Sequence, residues 1–282
     1  MEIISQTDRM QKKAREIQRA GKSIGLVPTM GYFHEGHLSL MRAAREETDY
    51  VAVSLFVNPI QFAPTEDLDI YPRDLDRDKI LAERLGVDVI FCPSVDDMYP
   101  SGFLTKVRVE VLSDKLCGAS RPGHFEGVTT IVSKLFHILT PDYAYFGQKD
   151  AQQAIIIKRM IKDLNFGTHI RILPIVREND GLAMSSRNVY LSDKERKAAL
   201  CLYKAVKEAE ALFEKGERSA EHLLAHAGSI IESEPLAAME YIKICHIEDL
   251  SPVEKIDDRA LLAIAVKIGK TRLIDNTILE RR

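Results

Sequence analysis

Over residues 7–20 the apolar positions recur at three- and four-residue steps. Met10, Ala14 and Ile17 share one face, while Lys12, Lys13, Arg15 and Glu16 fall mostly away from it. This predicts an amphipathic helix that Gly21 ends. Residues 24–27 are continuously apolar and predict a buried parallel strand. A helix over 36–47 follows, with Leu38, Leu40, Met41 and Ala44 at helical spacing, and then a β-rich run over 50–57. Strand, helix, strand in that order implies a right-handed crossover and parallel pairing. The alternation continues with a helix over 74–85, a strand over 87–91 and an alternating, half-exposed strand over 106–111. A helix over 127–139 turns Val128, Ile131, Val132, Leu135 and Phe136 inward. A strand over 143–146, a helix over 151–164 and a strand over 168–176 complete the series. The pattern predicts an α/β fold with a doubly wound parallel sheet. Ligand-facing loops are expected around 30–37, 58–62, 147–153 and 176–187, at the carboxyl ends of strands.

The pattern changes near residues 191–194. Ser192 with Glu195 makes a capping box for a long helix reaching about residue 214, stopped by Gly216. A second helix covers roughly 220–231, and runs over 239–245, 260–268 and 271–274 predict a small sheet. The boundary falls near 186–190, giving a larger α/β domain at 1–186 and a smaller α+β domain at 187–282.

Composition narrows the partners. A net charge of −3 on 282 residues, with 29% charged positions of both signs, argues against a general nucleic-acid or membrane-surface binder. Four scattered cysteines (Cys92, Cys117, Cys201, Cys245) without CxxC or zinc-finger spacing predict reduced thiols and a cytoplasmic setting. No signal peptide or membrane span is expected.

The candidate chemistry begins at Val27-Pro28-Thr29-Met30-Gly31-Tyr32-Phe33-His34-Glu35-Gly36-His37. A strand that enters a helix through a glycine turn offers backbone N–H groups and the positive end of the helix dipole to a phosphate. His34 and His37, three residues apart, share one face of the first turn and read either as donors to one anion or as helix-cap or surface residues. Gly36 removes a side chain where a ligand must approach. Gly147-Gln148-Lys149-Asp150 again lies between strand and helix. There Lys149 reads as a phosphate-binding point charge or as a surface lysine beside an Asp150 N-cap. Gln153, a turn further on, can face the same cleft. Met184-Ser185-Ser186-Arg187-Asn188 follows an Asp180-Gly181 turn and reads either as a polar interdomain loop or as a closure over a triphosphate. Arg121-Pro122-Gly123-His124 is dense in turn formers and potential ligand contacts, with His124 alternatively a helix-terminal residue. His222 and His226 read as a helix face rather than a metal site. Asp67, Asp69, Asp74, Asp76 and Asp78 read first as a solvated face carrying helix N-terminal charge, and second as a run that holds Mg²⁺ through water.

The His-x-Gly-His element resembles the signature of the nucleotidylyltransferase superfamily. Five blocks in order, the Pro28-to-His37 block, 56–62, 121–125, 146–150 and 185–188, resemble the pantothenate synthetase (pantoate–β-alanine ligase) family over essentially the whole chain. The resemblance implies a Rossmann-like fold and condensation of pantoate with β-alanine, with ATP converted to AMP and pyrophosphate. It implies ATP binding by Met30, Gly31, Tyr32, Phe33, His34, Glu35, Gly36 and His37, by Gly147, Gln148, Lys149 and Asp150, and by Val176, Met184, Ser185, Ser186 and Arg187. Gln61 and Gln153 are implied to bind pantoate, Gln61 to lie near β-alanine, and His37 to be the catalytic acid. A homodimer is implied as well. His34, His37, Lys149 and Arg187, with Mg²⁺, are the expected positive partners of the reacting phosphates, and the smaller domain is expected to act as a lid. A nucleotidylyltransferase on the same scaffold is the alternative.

Overall fold

The computed structural model describes residues 1–64 and 66–281. The chain divides into two compact units. The first comprises Met1–Asp114, Gly118–Gln148 and Gln152–Pro174; the second comprises Lys115–Cys117, Lys149–Ala151 and Ile175–Arg282.

In chain order the strands and helices up to residue 173 are β1 Glu2–Ile4, α1 Thr7–Arg19, β2 Ile24–Thr29, α2 Glu35–Glu47, β3 Tyr50–Leu55, α3 Leu75–Arg84 and β4 Val89–Phe91. The one-turn helices α4 Val95–Met98 and α5 Cys117–Ser120 follow, then α6 His124–Leu139, β5 Tyr143–Gly147, α7 Ala151–Asp163 and β6 His169–Leu173. The six strands form one parallel sheet in the order β1-β4-β3-β2-β5-β6. From β2 the chain winds outward through β3 to β4, and from β5 it winds the other way to β6. The direction reverses between β2 and β5, the place at which open α/β sheets bind ligands beyond the carboxyl ends of their strands.

One face of the sheet is sealed by α2, the turn before it and α3, which bury Phe33, Leu40, Met41, Ala44 and Ala82 against Val27, Val51, Val53 and Ile90. Full burial of an aliphatic or aromatic side chain of this size is worth roughly 1.5–3 kcal/mol. On α6, Ser133 Oγ donates to Met160 Sδ of α7 at 3.1 Å, and Phe136 packs edge-on against Phe166. Helix α1 lies against α6.

Three elements of this unit differ from the sequence pattern. Residues 106–111 keep an alternating exposure but form no strand, because hydroxyls of α6 take the place of a strand partner. Val107 N–H donates to Thr130 Oγ1 and Val107 C=O accepts from Thr129 Oγ1. The strand expected over 168–176 ends at Leu173, next to Pro174, which has no N–H for a ladder. The three-residue β1 is too short for a periodic signal and is defined by its partner β4.

The second unit carries a three-stranded antiparallel sheet, β7 Ala237–Cys245, β8 Arg259–Ile268 and β9 Thr271–Glu280. Its central strand β8 is buried from Ala260 to Val266. Helices α8 Asp193–Ala198, α9 Leu200–Glu214 and α10 Ala220–Glu232 bring Leu202, Val206, Leu223 and Ile231 into the cluster that contains Leu262, Ile264 and Val266. Ser192 and Glu195 form the capping box. The single helix expected after it is interrupted by a turn at Ala199. The architecture is thus a doubly wound α/β sheet with a smaller α+β unit.

Candidate active site

At the end of β2, Thr29 Oγ1 donates to Ser54 C=O of β3 at 2.8 Å and accepts from Gly31 N–H at 3.3 Å, starting the turn. Gly31 and Tyr32 then both take left-handed backbone angles, φ 87° and 53°. A tyrosine does not hold such an angle without support. The support is Asp78 of α3, whose carboxylate accepts from Tyr32 N–H at 2.6 Å and Phe33 N–H at 2.7 Å. The residue has 0% exposure. Burial pushes its carboxyl above the usual aspartate range, while the two backbone bonds pull it down. Asp78 therefore departs from the solvated face read from the sequence. Asp74 does cap α3, accepting from Arg77 N–H, but four residues later the acid faces inward.

His34 is the N-cap of α2. Gly36 N–H donates to His34 Nδ1 at 3.1 Å, and His34 N–H donates to His37 Nδ1 at 3.3 Å, a reciprocal box built from two imidazoles. An accepting Nδ1 carries no proton, so each neutral ring holds its hydrogen on Nε2. An aspartate would cap the same N–H groups but repel a phosphate; imidazoles cap them and present donors. The rings lie 4.1 Å apart at 32°. Gly36 is required by this packing, since a Cβ there would come within 2.9 Å of the His34 ring. Glu35 is the first residue of the helix.

Beyond β3, a short 3₁₀ turn over Pro59–Gln61 places Gln61, which donates through Nε2 to Met30 Sδ at 2.9 Å. Gln61 Oε1 accepts from Asn58 Nδ2 at 3.1 Å. The turn rests on α6 at Gly127, where a Cβ would meet Ile60 C=O at 2.6 Å. His124, the first residue of α6, donates from Nδ1 to Gln61 C=O at 2.8 Å, since a carbonyl only accepts. Its Nε2 then takes a hydrogen bond from Arg121 at 3.0 Å. Arg121 also grips both oxygens of Glu66, at 2.5 and 2.8 Å. Burial alone would raise the Glu66 carboxyl, and the guanidinium outweighs it, holding the group below its usual range.

Met30 to His37, Gln61, Gly147, Gln148 and Gln153 all belong to the first unit. Gly147 ends β5, the neighbour of β2, and Gln153 stands half-buried on α7. Lys149, Asp150, Val176 and Met184 to Arg187 belong to the second unit. There Lys149 and Asp150 sit in the 3₁₀ turn before α7, 3.8 Å apart at their charged ends, and Lys149 C=O accepts from Asn276 Nδ2. Val176 and Met184, eight positions apart in sequence, are joined directly, with Met184 N–H donating to Val176 C=O at 3.0 Å. Gly181 closes the loop between them at φ 101°, and a Cβ there would strike Tyr203 at 2.0 Å. Ser185 Oγ accepts from Arg187 N–H, and Asn188 braces the loop through Glu178 and Ala183 C=O.

Asp78, Asn58, Tyr99, Glu66 and Arg121 are the supporting residues that the sequence pattern missed or left unassigned. For Asp78 the signal was its position one turn before buried Ala82, on the inner stripe of α3. Among the described residues no group of three or more His, Cys, Asp or Glu is placed to hold a metal ion. His222 and His226 pair instead with Glu217 and Glu208. No helix among the described residues is long and apolar enough to cross a membrane.

Comparison with known proteins adds to this geometry. The sequence model described as pantoate-beta-alanine ligase matches residues 2–278. A pantothenate synthetase of Thermoanaerobacter sp. (strain X514) is 59% identical over 264 residues, 94% of this chain and 93% of the relative. One from Acetivibrio thermocellus is 54% identical over 280 residues, 99% of this chain and all of the relative. The crystal structure of pantothenate synthetase from Thermus thermophilus superposes with a TM-score of 0.95 at 42% identity, covering both chains fully. The pantoate-beta-alanine ligase of Francisella tularensis, complexed with beta-gamma ATP and beta-alanine, gives 0.80 at 35% identity over 100% of this chain and 99% of that one. A match that runs through both units, together with an imidazole-capped turn at the sheet's switch point, leads to one conclusion: the chain belongs to the pantoate–β-alanine ligase family.

Proposed function

We propose that the protein is an AMP-forming ligase that joins the carboxyl group of (R)-pantoate to the amine of β-alanine, through a pantoyl-adenylate intermediate. A carboxylate does not acylate an amine at neutral pH because its leaving group would be oxide. In the first step a pantoate carboxylate oxygen attacks the α-phosphorus of ATP, the bond to the bridging oxygen breaks, and pyrophosphate leaves. In the second step the β-alanine amine attacks the activated carbonyl, AMP leaves, and the nitrogen gives up a proton.

The observation that carries the reading is the two-histidine cap at the carboxyl end of β2. Its Nε2–H groups suit the oxygens around the α-phosphorus. We assign His37 as the acid, with His34 as its companion donor. Lys149 and Arg187 supply positive charge to the phosphates, and Met30–His37, Gly147–Asp150, Val176 and Met184–Arg187 hold ATP. Gln61 and Gln153 bind pantoate. Donors aimed at developing charge typically contribute about 2.7–4 kcal/mol each to the barrier.

Mg²⁺ fits this chain as part of the substrate, Mg·ATP, held by phosphate oxygens. The buried carboxylate beneath the turn, Asp78, has both oxygens engaged by backbone N–H groups. Magnesium commonly binds in that way, through substrate phosphates and water. We place the functional division at 186/187, with the smaller domain keeping water from the anhydride, and propose a homodimer in the cytoplasm.

The test is to mix the protein with ATP, pantoate and β-alanine and to follow AMP and the amide. The reading expects stoichiometric AMP, pyrophosphate and pantothenate. A dinucleotide-like anhydride made from ATP and a phosphate acceptor, with no amide, would instead assign a nucleotidylyltransferase.

A further inference from the structure

The polar side chains beneath Gln61 form a chain whose direction is fixed at one end. Gly127 C=O is a backbone carbonyl and can only accept. Asn58, with 1% exposure, meets it through Nδ2 at 3.1 Å. The second hydrogen of that amide goes to Gln61 Oε1, also at 3.1 Å. Rotating the Asn58 amide by half a turn would set its oxygen against two other oxygens. With Nδ2 so engaged, Asn58 Oδ1 faces Tyr99, whose hydroxyl donates to it at 2.8 Å. With Oε1 accepting, Gln61 must turn its NH₂ group the other way, toward Met30 Sδ.

We propose that Tyr99 is a positioning residue for the acid substrate. Its hydroxyl satisfies Asn58 Oδ1 in the orientation that Gly127 C=O sets, and so helps to hold the Gln61 carboxamide with the NH₂ end toward Met30, so that the substrate atom Gln61 meets is a hydrogen-bond acceptor, a carboxylate or hydroxyl oxygen. An unsupported carboxamide can present either end; this one is set to donate.

The surroundings suit the role. The Tyr99 ring packs against Phe103 at 5.1 Å and Phe56 at 6.1 Å, and the Lys134 ammonium lies 4.9 Å from the Phe103 ring centre. Burial raises the tyrosine's pKa and keeps the hydroxyl a donor. The inference rests on the reading of Gln61 as a pantoate contact.

The experiment is a double-mutant cycle of Tyr99→Phe and Gln61→Ala in the full chain, read as kcat and as KM for pantoate and for ATP. Tyr99→Phe keeps the ring and removes only the O–H. We expect KM for pantoate to rise about tenfold, on the scale of one lost hydrogen bond. The ATP KM should stay constant and kcat should change by less than about threefold, the signature of lost uniform binding. In the Gln61→Ala background Tyr99→Phe should add nothing. An unchanged pantoate KM in Tyr99→Phe, or the same penalty added on top of Gln61→Ala, would overturn the role. If Gln61→Ala alone leaves the pantoate KM unchanged, the assignment of Gln61 falls first, and this inference with it. Gln61→Glu supplies a further arm: its carboxylate still accepts from Asn58 but repels an anion, so it should impair pantoate binding more than Gln61→Ala. The reverse order would also count against the proposal.

Discussion

Gly36 and Asp78 show how the two-histidine turn is held. Gly36 does not need an unusual backbone angle; it is needed because a methyl group would press on the His34 ring. Replacing it with alanine favours the helix by up to about 1 kcal/mol while displacing the cap. Gly36→Ala should therefore keep or slightly raise Tm and lose at least about tenfold in kcat/KM for ATP, measured by thermal unfolding beside steady-state kinetics. Asp78 works from the other side, satisfying two backbone N–H groups at a strained tyrosine. Asp78→Asn keeps one acceptor and turns an NH₂ group toward the second N–H. It should cost about 1–3 kcal/mol in denaturant unfolding, with activity falling alongside. The two variants thus separate geometry from stability at the same turn. His34, Gly36 and His37 stood out in the sequence because a strand, a Pro-Thr-Met-Gly turn and His-x-Gly-His at a helix start fall together there. Asp78 did not, because an acidic run before a helix looks the same whether its last member points to water or to the core.

At the scale of elements, the 3₁₀ turn that carries Gln61 is a single turn and is braced from α6 and the loop before it. His124 ties its backbone, Gly127 lets it approach, and Arg121 clasps Glu66 at its far end. The brace has a pH signature. The folded-state pKa of Glu66 is depressed, so its contribution to stability is present above the unfolded value, about 4.3, and is lost as pH falls through the folded one. Urea unfolding between pH 6 and pH 3 should show an acid-side loss that is smaller in Glu66→Gln, which starts lower at pH 6. Superimposable pH profiles for the two proteins would exclude the brace. The same scale explains which elements periodicity revealed. Helices such as α1 and α6, with one apolar face each, were legible. Residues 106–111 alternate as a strand does, yet hydroxyls of Thr129 and Thr130 satisfy Val107, a tertiary arrangement no local pattern encodes. Val176 and Met184 were both nominated, but their direct pairing depends on Gly181 beneath Tyr203.

For the molecule as a whole, the alternation of strands and helices was enough to give a doubly wound sheet, and the change of pattern near residue 191 to give a smaller α+β part. The strand order, and with it the reversal between β2 and β5, comes from pairings between distant segments such as Gly25 with Tyr143. A chain of net charge −3 must handle the four negative charges of ATP with a few placed donors rather than with a general positive field. The imidazole cap at the switch point is the part of that arrangement on which the account rests. Its direct test is the single-turnover release of pyrophosphate from ATP and pantoate, without β-alanine, in the unaltered protein and in His37→Ala. The account predicts a pantoate-dependent burst in the first and a rate about a hundred- to a thousandfold lower in the second. A His37→Ala protein that forms pyrophosphate and pantoyl adenylate at close to the unaltered rate would contradict it.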